Sequence, residues 1–518
     1  MAPTGPATEH RGQLERLARR GTASVVGAGF SAVFGILLVA IVTNGFSRTT
    51  AGTLFAATSS FLILESLALL GTDTGLVKVL PAQLAAGREA DLRRTLVISG
   101  IPVLGLALAV MTGMLLGAPV VAPHLVGTDA AEAMTTMLRA LGVILPMAAL
   151  YDLTMAASRG LGSMRPTVLI DNLGRLGLQS ALVLVVWVAG GDSLALAAAW
   201  SLPYALGLVA VASWTWRRLD HADAPVAPPS GWSVLAREFW GYTAPRAIAR
   251  VTQTALKRSD IVLVAALASP ADAALYTAAT RFIVLGQLLV QSVQQALSPH
   301  LASLFARGDK PAATSIYQAA TLWSMIFSWP IYLVLAGYSN TLMGVFGQGY
   351  DVASDVVLVL SLTMLLATAC GAVDSVLLMA GRSWLSLRNS TVALAVNIAL
   401  NLVLIPSLGI RGAAISWAVA IVVRNLLPLL IVGRHIGMWP ITRPAVEVAI
   451  GAVVCFGTAD VLGALADAPT AVDVAILATA TGAYATGVWL ARQRLGLDAF
   501  RSAVRRRTRG APPVAAHT

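Results

Sequence analysis

Fourteen runs of about 20 or more mostly apolar residues, separated by short segments rich in charge, glycine or proline, leave this chain few ways to fold. A helix of about 20 such residues crosses a bilayer, and inside the hydrocarbon every backbone N–H and C=O must be satisfied within the segment itself. The runs fall at 21–45, 52–76, 95–118, 134–158, 166–190, 194–216, 239–267, 272–298, 311–336, 353–379, 389–407, 412–433, 444–464 and 470–491. Composition agrees, since 57% of the 518 residues are hydrophobic and 12% charged, against about 25% charged in soluble domains. That little charge does not clothe a water-facing surface of this size. The expected fold is an all-α polytopic membrane protein with fourteen transmembrane helices. The first run follows Arg19 and Arg20 but is too long for the core of a signal peptide, so it is read as retained.

The net charge of +11 first suggests a nucleic-acid partner, but the basic residues sit between apolar runs rather than on one soluble face. Their distribution speaks instead to orientation. With the N-terminus inside, 26 of the 36 Lys and Arg fall in cytoplasmic segments, 2 (Arg48 and Arg411) outside and 8 within the runs. Both termini are therefore expected in the cytoplasm, with the chain in the cytoplasmic membrane. Cys370 and Cys455 lie inside apolar runs, which leaves no disulfide framework and no cysteine metal site. No nucleotide-binding G-x-x-x-x-G-K-[ST] motif occurs. No catalytic residue, metal site or cofactor is expected, and an enzyme is not.

Comparing the chain with itself at an offset of 222 residues aligns Ala56-Ala57-Thr58 with Ala278-Ala279-Thr280, and places Thr58, Glu65 and Thr72 on Thr280, Gln287 and Gln294. That offset equals six runs, an even number, so the two halves share orientation about an axis along the membrane normal. The expected organisation is a cytoplasmic tail (1–20), an N-lobe of six helices (21–216), a cytoplasmic linker with Pro225, Pro228 and Pro229 (217–238), a C-lobe of six helices (239–433), two further spans (434–491) and a basic tail with Arg505, Arg506 and Arg507 (492–518).

The seventh run carries Arg246, Arg250, Gln253, Lys257 and Asp260 at i, i+4, i+7, i+11 and i+14, a stripe about 80° wide at 100° per residue. Each Arg or Lys near a helix centre costs about 2.5–3.5 kcal/mol in lipid, so three on one face must point inward. The eighth run carries Tyr276, Thr280, Gln287, Gln291, Gln294 and Ser298. A cationic face beside a polar one suits an anionic substrate group held by the second half. The candidate binding residues are Arg246, Arg250, Gln253, Lys257, Gln287, Gln291 and Gln294. The competing reading is a packing network in which Asp260 neutralises Lys257 and Arg246 snorkels to the interface. Opposite Arg250, Gln253 and Lys257, the repeat places the small residues Ala28, Ser31 and Gly35, which are expected to form a packing face. Glu65, Asp260 and Asp374 are candidates for ion coupling. Asp171 and Arg175, four apart, are expected to pair, and Asn397 and Asn401 to bond between helices.

The stretch from Asn397 through Ile405-Pro406-Ser407-Leu408-Gly409-Ile410-Arg411-Gly412-Ala413-Ala414 resembles a hallmark of the polysaccharide-transport branch of the multidrug/oligosaccharidyl-lipid/polysaccharide exporter superfamily. Pro406 is expected to end one helix, and Gly409 and Gly412 to let the next begin close by. Tyr242-Thr243-Ala244-Pro245, Asp260 ahead of Tyr276, Ser298-Pro299 and Phe346-Gly347-Gln348-Gly349-Tyr350 extend the resemblance over roughly 20–435. The resemblance implies a flippase of the Wzx type, moving polyprenyl-pyrophosphate-linked glycans by alternating access between two six-helix lobes. Its implied partners are the lipid-linked glycan, the bilayer, a polysaccharide polymerase and glycosyltransferases. Lipid II flippases of the same superfamily look different in the first span, where a charged cluster is expected and 21–45 has none. A drug exporter of the superfamily and a non-transporting membrane scaffold are the other readings.

Overall fold

The computed structural model describes residues 27, 29–220, 230–466 and 470–495, with no strand among them. The tail at 1–20, the linker prolines and the basic tail beyond 495 lie outside the described residues. Helix occupies each of the fourteen runs over its described part. The first half holds α1 (Gly29–Gly45), α2 (Arg48–Ala68), α3 (Thr72–Ala85), α4 (Ala90–Val126), α5 (Ala131–Gly160), α6 (Thr167–Val188) and α7 (Ser193–Asp220). The second holds α8 (Trp232–Leu267), α9 (Pro270–Ala306), α10 (Lys310–Gly337), the short α11 (Ser339–Met343), α12 (Ser354–Ala369), α13 (Val373–Met379), α14 (Ser383–Leu408) and α15 (Ile410–Ile431), followed by α16 (Arg443–Ala466) and α17 (Thr470–Leu490). Ten of the described helices are long and apolar enough to cross a membrane. Neither α8 nor α9, of 36 and 37 residues, is among those ten.

Two of the expected spans are broken. The run at 52–76 divides into α2 and α3 at Leu70 (φ +51°) and Gly71 (φ +74°), and Leu70 is the only non-glycine residue at positive φ among those described. A left-handed conformation costs an ordinary residue roughly 1–2 kcal/mol, so the surroundings hold it: Gly71 lies against the backbone of Ala247, whose nitrogen would be 2.7 Å from an added Cβ. The run at 353–379 divides into α12 and α13 at 370–372. The repeat-related positions in the other half, near 292 on α9 and 148 on α5, stay helical. At the hallmark turn, α14 continues two residues past Pro406 to Leu408 before Gly409 turns the chain, so the proline sits in the last helical turn rather than ending it.

In the first half α5 packs against α2, α3, α4 and α7, and in the second α10 packs against α9, α12 and α16. The last two helices join through α16, with Phe456 and Tyr484 ring centroids 5.6 Å apart and the Tyr484 hydroxyl donating to the Ile326 carbonyl at 3.1 Å. Between the halves, α2 lies along α8 and α9, and α3 along α8. Near the start of α2, Gly52 meets the Pro270 carbonyl so closely that a Cβ would overlap it. Beside it, Asn44 donates to the Val345 carbonyl at 3.0 Å and Arg48 to the Gln348 carbonyl at 2.9 Å, with the Arg48 guanidinium 5.5 Å from the Tyr350 ring centre. The Phe346–Tyr350 motif is thus a contact between halves.

The opposite end is clamped by a polar cluster. Asp91, with 1% of its side chain exposed, accepts from the Ser230 backbone N–H at 2.8 Å, the Ser230 hydroxyl at 2.7 Å and Arg88 Nε at 2.9 Å. Arg94 donates to the Ser230 carbonyl at 2.7 Å. Removing a buried acceptor leaves its donors unpaired, at a cost of about 1–3 kcal/mol. Asp91→Ala is expected to lower the thermal unfolding temperature in detergent accordingly; an unchanged transition would show the cluster to be idle.

Candidate functional site

A cavity of about 390 Å³ opens between the halves, within the range of about 300–1,000 Å³ usual for ligand sites. Leu38 and Val39 of α1, Phe55 and Leu62 of α2 and Ile261 of α8 give it apolar surface, and Gly35 of α1 lines it with nothing within 4 Å of where a Cβ would stand. The small residue that the repeat places opposite Lys257 therefore leaves room rather than packing. Its polar surface is divided. The first half contributes Thr58, Ser59, Glu65, Asp152, Asp171, Arg175, Gln179 and Tyr204. The second contributes Arg250, Thr254, Lys257, Arg258, Thr277 and Arg281. Five cations face three carboxyl groups, four of the cations on α8 and α9 and all three acids on α2, α5 and α6.

Of the candidate binding residues, Arg250 and Lys257 line this cavity, and of the coupling candidates Glu65 does. The lining residues of α8, namely 250, 254, 257, 258 and 261, centre about 70° around the helix from the 246–260 stripe, so the two sets share only these two cations. Arg246 is exposed and lies 4.3 Å from the Tyr242 ring centre, and Gln253 is exposed. Gln287, Gln291 and Gln294 are not lining residues; Gln287 donates weakly to Met364 Sδ at 3.9 Å. On α9 the cavity meets Thr277 and Arg281, each one residue on from Tyr276 and Thr280 of the expected stripe.

Arg250 also bridges the halves, with Nη1 3.4 Å from Asp73 Oδ2 at the start of α3. Across the cavity, Arg175 and Asp171 form the expected pair at 2.7 Å, in the wide helical turn Thr167–Arg175 that opens α6. The Tyr151 hydroxyl donates to Asp171 at 3.1 Å, and Arg175 donates to Gln179 and to the Tyr204 hydroxyl, each at 3.3 Å. Glu65 is 4% exposed and its Oε1 has no hydrogen-bond partner. Asp152, absent from the sequence candidates, is its neighbour.

Asp260 does not pair with Lys257. It turns into the second half, 2% exposed, where it accepts from Asn401 Nδ2 at 2.8 Å and the Tyr276 hydroxyl at 3.2 Å. Asn401 also donates to Asn397 Oδ1 at 3.2 Å within α14, so Asn401 makes the expected bond between helices, joining α14 to α8 through Asp260, while the Asn397 bond lies within its own helix. Asn401 Oδ1 and Asn397 Nδ2 remain buried without partners. Asp374, on α13, accepts a short hydrogen bond from the Ser386 hydroxyl of α14. Among the described residues, no three His, Cys, Asp or Glu side chains are placed to hold a metal ion.

Residues 245–403, from the Pro245 position in α8 into α14, match the MatE family. The probable low-salt glycan biosynthesis flippase Agl15 of Haloferax volcanii is 23% identical over 248 residues, which is 47% of this chain and 52%, about half, of that relative. Among solved structures, the lipid II flippase MurJ in an inward closed conformation superposes with a TM-score of 0.71 at 12% identity, covering 91% of this chain and 99% of that one. An inward-facing multidrug resistance MATE transporter of the MOP superfamily gives 0.67 at 15% identity, covering 78% and 94%. A MOP superfamily transporter from Pyrococcus furiosus gives 0.60 at 15% identity, covering 85% and 100%. The fold is that of these solved structures, and the MatE match over 245–403 agrees with the resemblance drawn from the motifs.

Proposed function

We propose that this protein is a flippase that carries an anionic, polyprenyl-pyrophosphate-linked oligosaccharide across the cytoplasmic membrane by alternating access between its two halves, for cell-envelope polysaccharide synthesis. The observation that carries this reading is the group of four cations, Arg250, Lys257, Arg258 and Arg281, on one wall of the cavity between the halves. Arginine holds phosphate through paired donors and lysine as a point charge. Hydroxyl and amide groups around them, from Thr254, Thr277 and Gln179, match sugar hydroxyls. The name of the Haloferax relative, a glycan biosynthesis flippase, and that of MurJ, a lipid II flippase, point the same way. Helices α1–α7 and α8–α15 form the two lobes, α16 and α17 are accessory, and both termini face the cytoplasm. Transport rather than catalysis is the activity, with a polysaccharide polymerase and glycosyltransferases acting on the same lipid-linked glycan as partners.

Proteoliposomes holding a fluorescent polyprenyl-diphosphate glycan test this directly. Protein-dependent exposure of the inner-leaflet label to an outside quencher is expected; exposure equal to that of empty vesicles would end the flippase reading. Coupling is assigned to Asp260, a carboxyl group removed from water with two asparagines beside it. In the same vesicles, Asp260→Asn is expected to remove the response of transport to an imposed ion gradient. An undiminished response would return coupling to Asp374 or Glu65.

A further inference from the structure

The acids on the first-half wall are not accounted for by an anionic substrate. Asp171 is neutralised by Arg175 at 2.7 Å. Arg250, a cation that acts on both of the remaining two, has its bonded carboxylate in Asp73 rather than in either of them. Glu65 and Asp152 are left side by side, within hydrogen-bonding reach of each other and with no salt bridge among the described residues. Glu65 is 4% exposed, faces the cavity and has an oxygen with no hydrogen-bond partner. Two neighbouring carboxyl groups in a low-dielectric site repel each other and lose hydration. A group that donates several hydrogen bonds and carries positive charge relieves both costs, and an ammonium, with three donors, has that chemistry. No three acids are placed around a point suitable for a metal ion among the described residues.

We propose that the head group this cavity accepts is zwitterionic: its phosphate lies on the α8 and α9 cations while a protonated amine of its sugar lies between Glu65 and Asp152 on the opposite wall. This rests on the flippase reading above and narrows its substrate to amino-sugar glycans. The arrangement has a physical advantage. Each wall gains a counter-charge only when both ends of the head are in place, so a correctly docked substrate draws the halves together, whereas a simple anion leaves the acid wall uncompensated. Sites built to bond a polar substrate group discriminate strongly against analogues that lack it.

The test is binding of polyprenyl-diphosphate-linked glucosamine and of its N-acetylated counterpart to the purified full-length protein, at mildly acidic pH where the amine is protonated. The wild type is expected to prefer the amine by at least about tenfold. Glu65→Gln and Asp152→Asn should each bring the ratio towards one, and Glu65→Asp, which keeps the charge, should restore it. Free glucosamine and potassium ions, added separately, distinguish an amine on the head group from an independent cation. Restoration of acetyl-analogue binding to the amine's level by potassium would mean that a free ion fills the site, and would overturn the proposal. A wild-type ratio near one, or a preference that survives both neutral substitutions, would overturn it too while leaving the flippase reading standing. Failure of the wild type to bind either analogue would end both.

Discussion

Replacing Arg258 and Arg281 together with alanine is expected to lower transport of the lipid-linked substrate by at least about a hundredfold. Each charge-assisted hydrogen bond contributes about 1.5–3 kcal/mol, and 1.4 kcal/mol is about a factor of ten. Both residues line the cavity wall that faces the first half. The informative comparison is Arg246→Ala, because Arg246 belongs to the same cationic stripe in the sequence but is exposed beside Tyr242. Its removal should cost less than about fivefold, the scale of an exposed cation–π contact at about 0.5–1 kcal/mol. Flipping measured in proteoliposomes separates the two. A double variant that transports like the wild type, with Arg246→Ala inactive, would move the substrate path to the other face of α8.

The second large effect is expected at Gly52. An added methyl would overlap the carbonyl of Pro270, and its next neighbour, the Ala274 nitrogen, is 3.1 Å away. Both are backbone atoms of a helix start, so no side chain can swing aside. Overpacking of this kind costs about 1–3 kcal/mol, which falls on whichever state brings α2 and α9 together. Gly52→Ala should therefore depopulate that closed end by up to about a hundredfold. A cysteine placed at Thr58, on the cavity side of α2, should become correspondingly more reactive to a membrane-impermeant thiol reagent added at the Arg48 end. Unchanged labelling would mean that the helices can slide apart without opening the cavity.

The positions of the helices could be read from the apolar runs because lipid imposes a length and a polarity that few other environments do. The breaks at 70–71 and 370–372 could not, since Leu70 and Ala372 are ordinary members of apolar runs and their conformations are set by what packs on them. At the site, Arg250 and Lys257 were legible because unpaired cations at helical spacing have no place in lipid. The direction they face was less so: helical spacing defines an angular sector, and a neighbour such as Tyr276 or Asn401 decides where within it the cavity falls. That is why Asp260 turns away into a hydrogen-bonded pocket and why Arg258 and Arg281, two of the eight cations within the apolar runs, share the cavity without belonging to the stripe. Asp152 gave no signal, being one carboxyl group in an apolar run whose meaning depends on Glu65, 87 positions earlier in the chain.

The division between α2 and α3 also bears on leakage. In this structure α2 meets α9 at Gly52 while α3 meets α8 at Gly71 and Gly75, so one span grips the second half near both membrane surfaces at once. A straight, stiff rod pivoting at its middle would behave as a see-saw, opening one surface as it shut the other and passing through a tilt at which neither was sealed. A joint at Leu70 and Gly71 lets the two grips be made and released separately. Both seals can then be engaged before either gives way, so that under the proposed function a bulky head group would cross the membrane without a continuous column of water crossing with it.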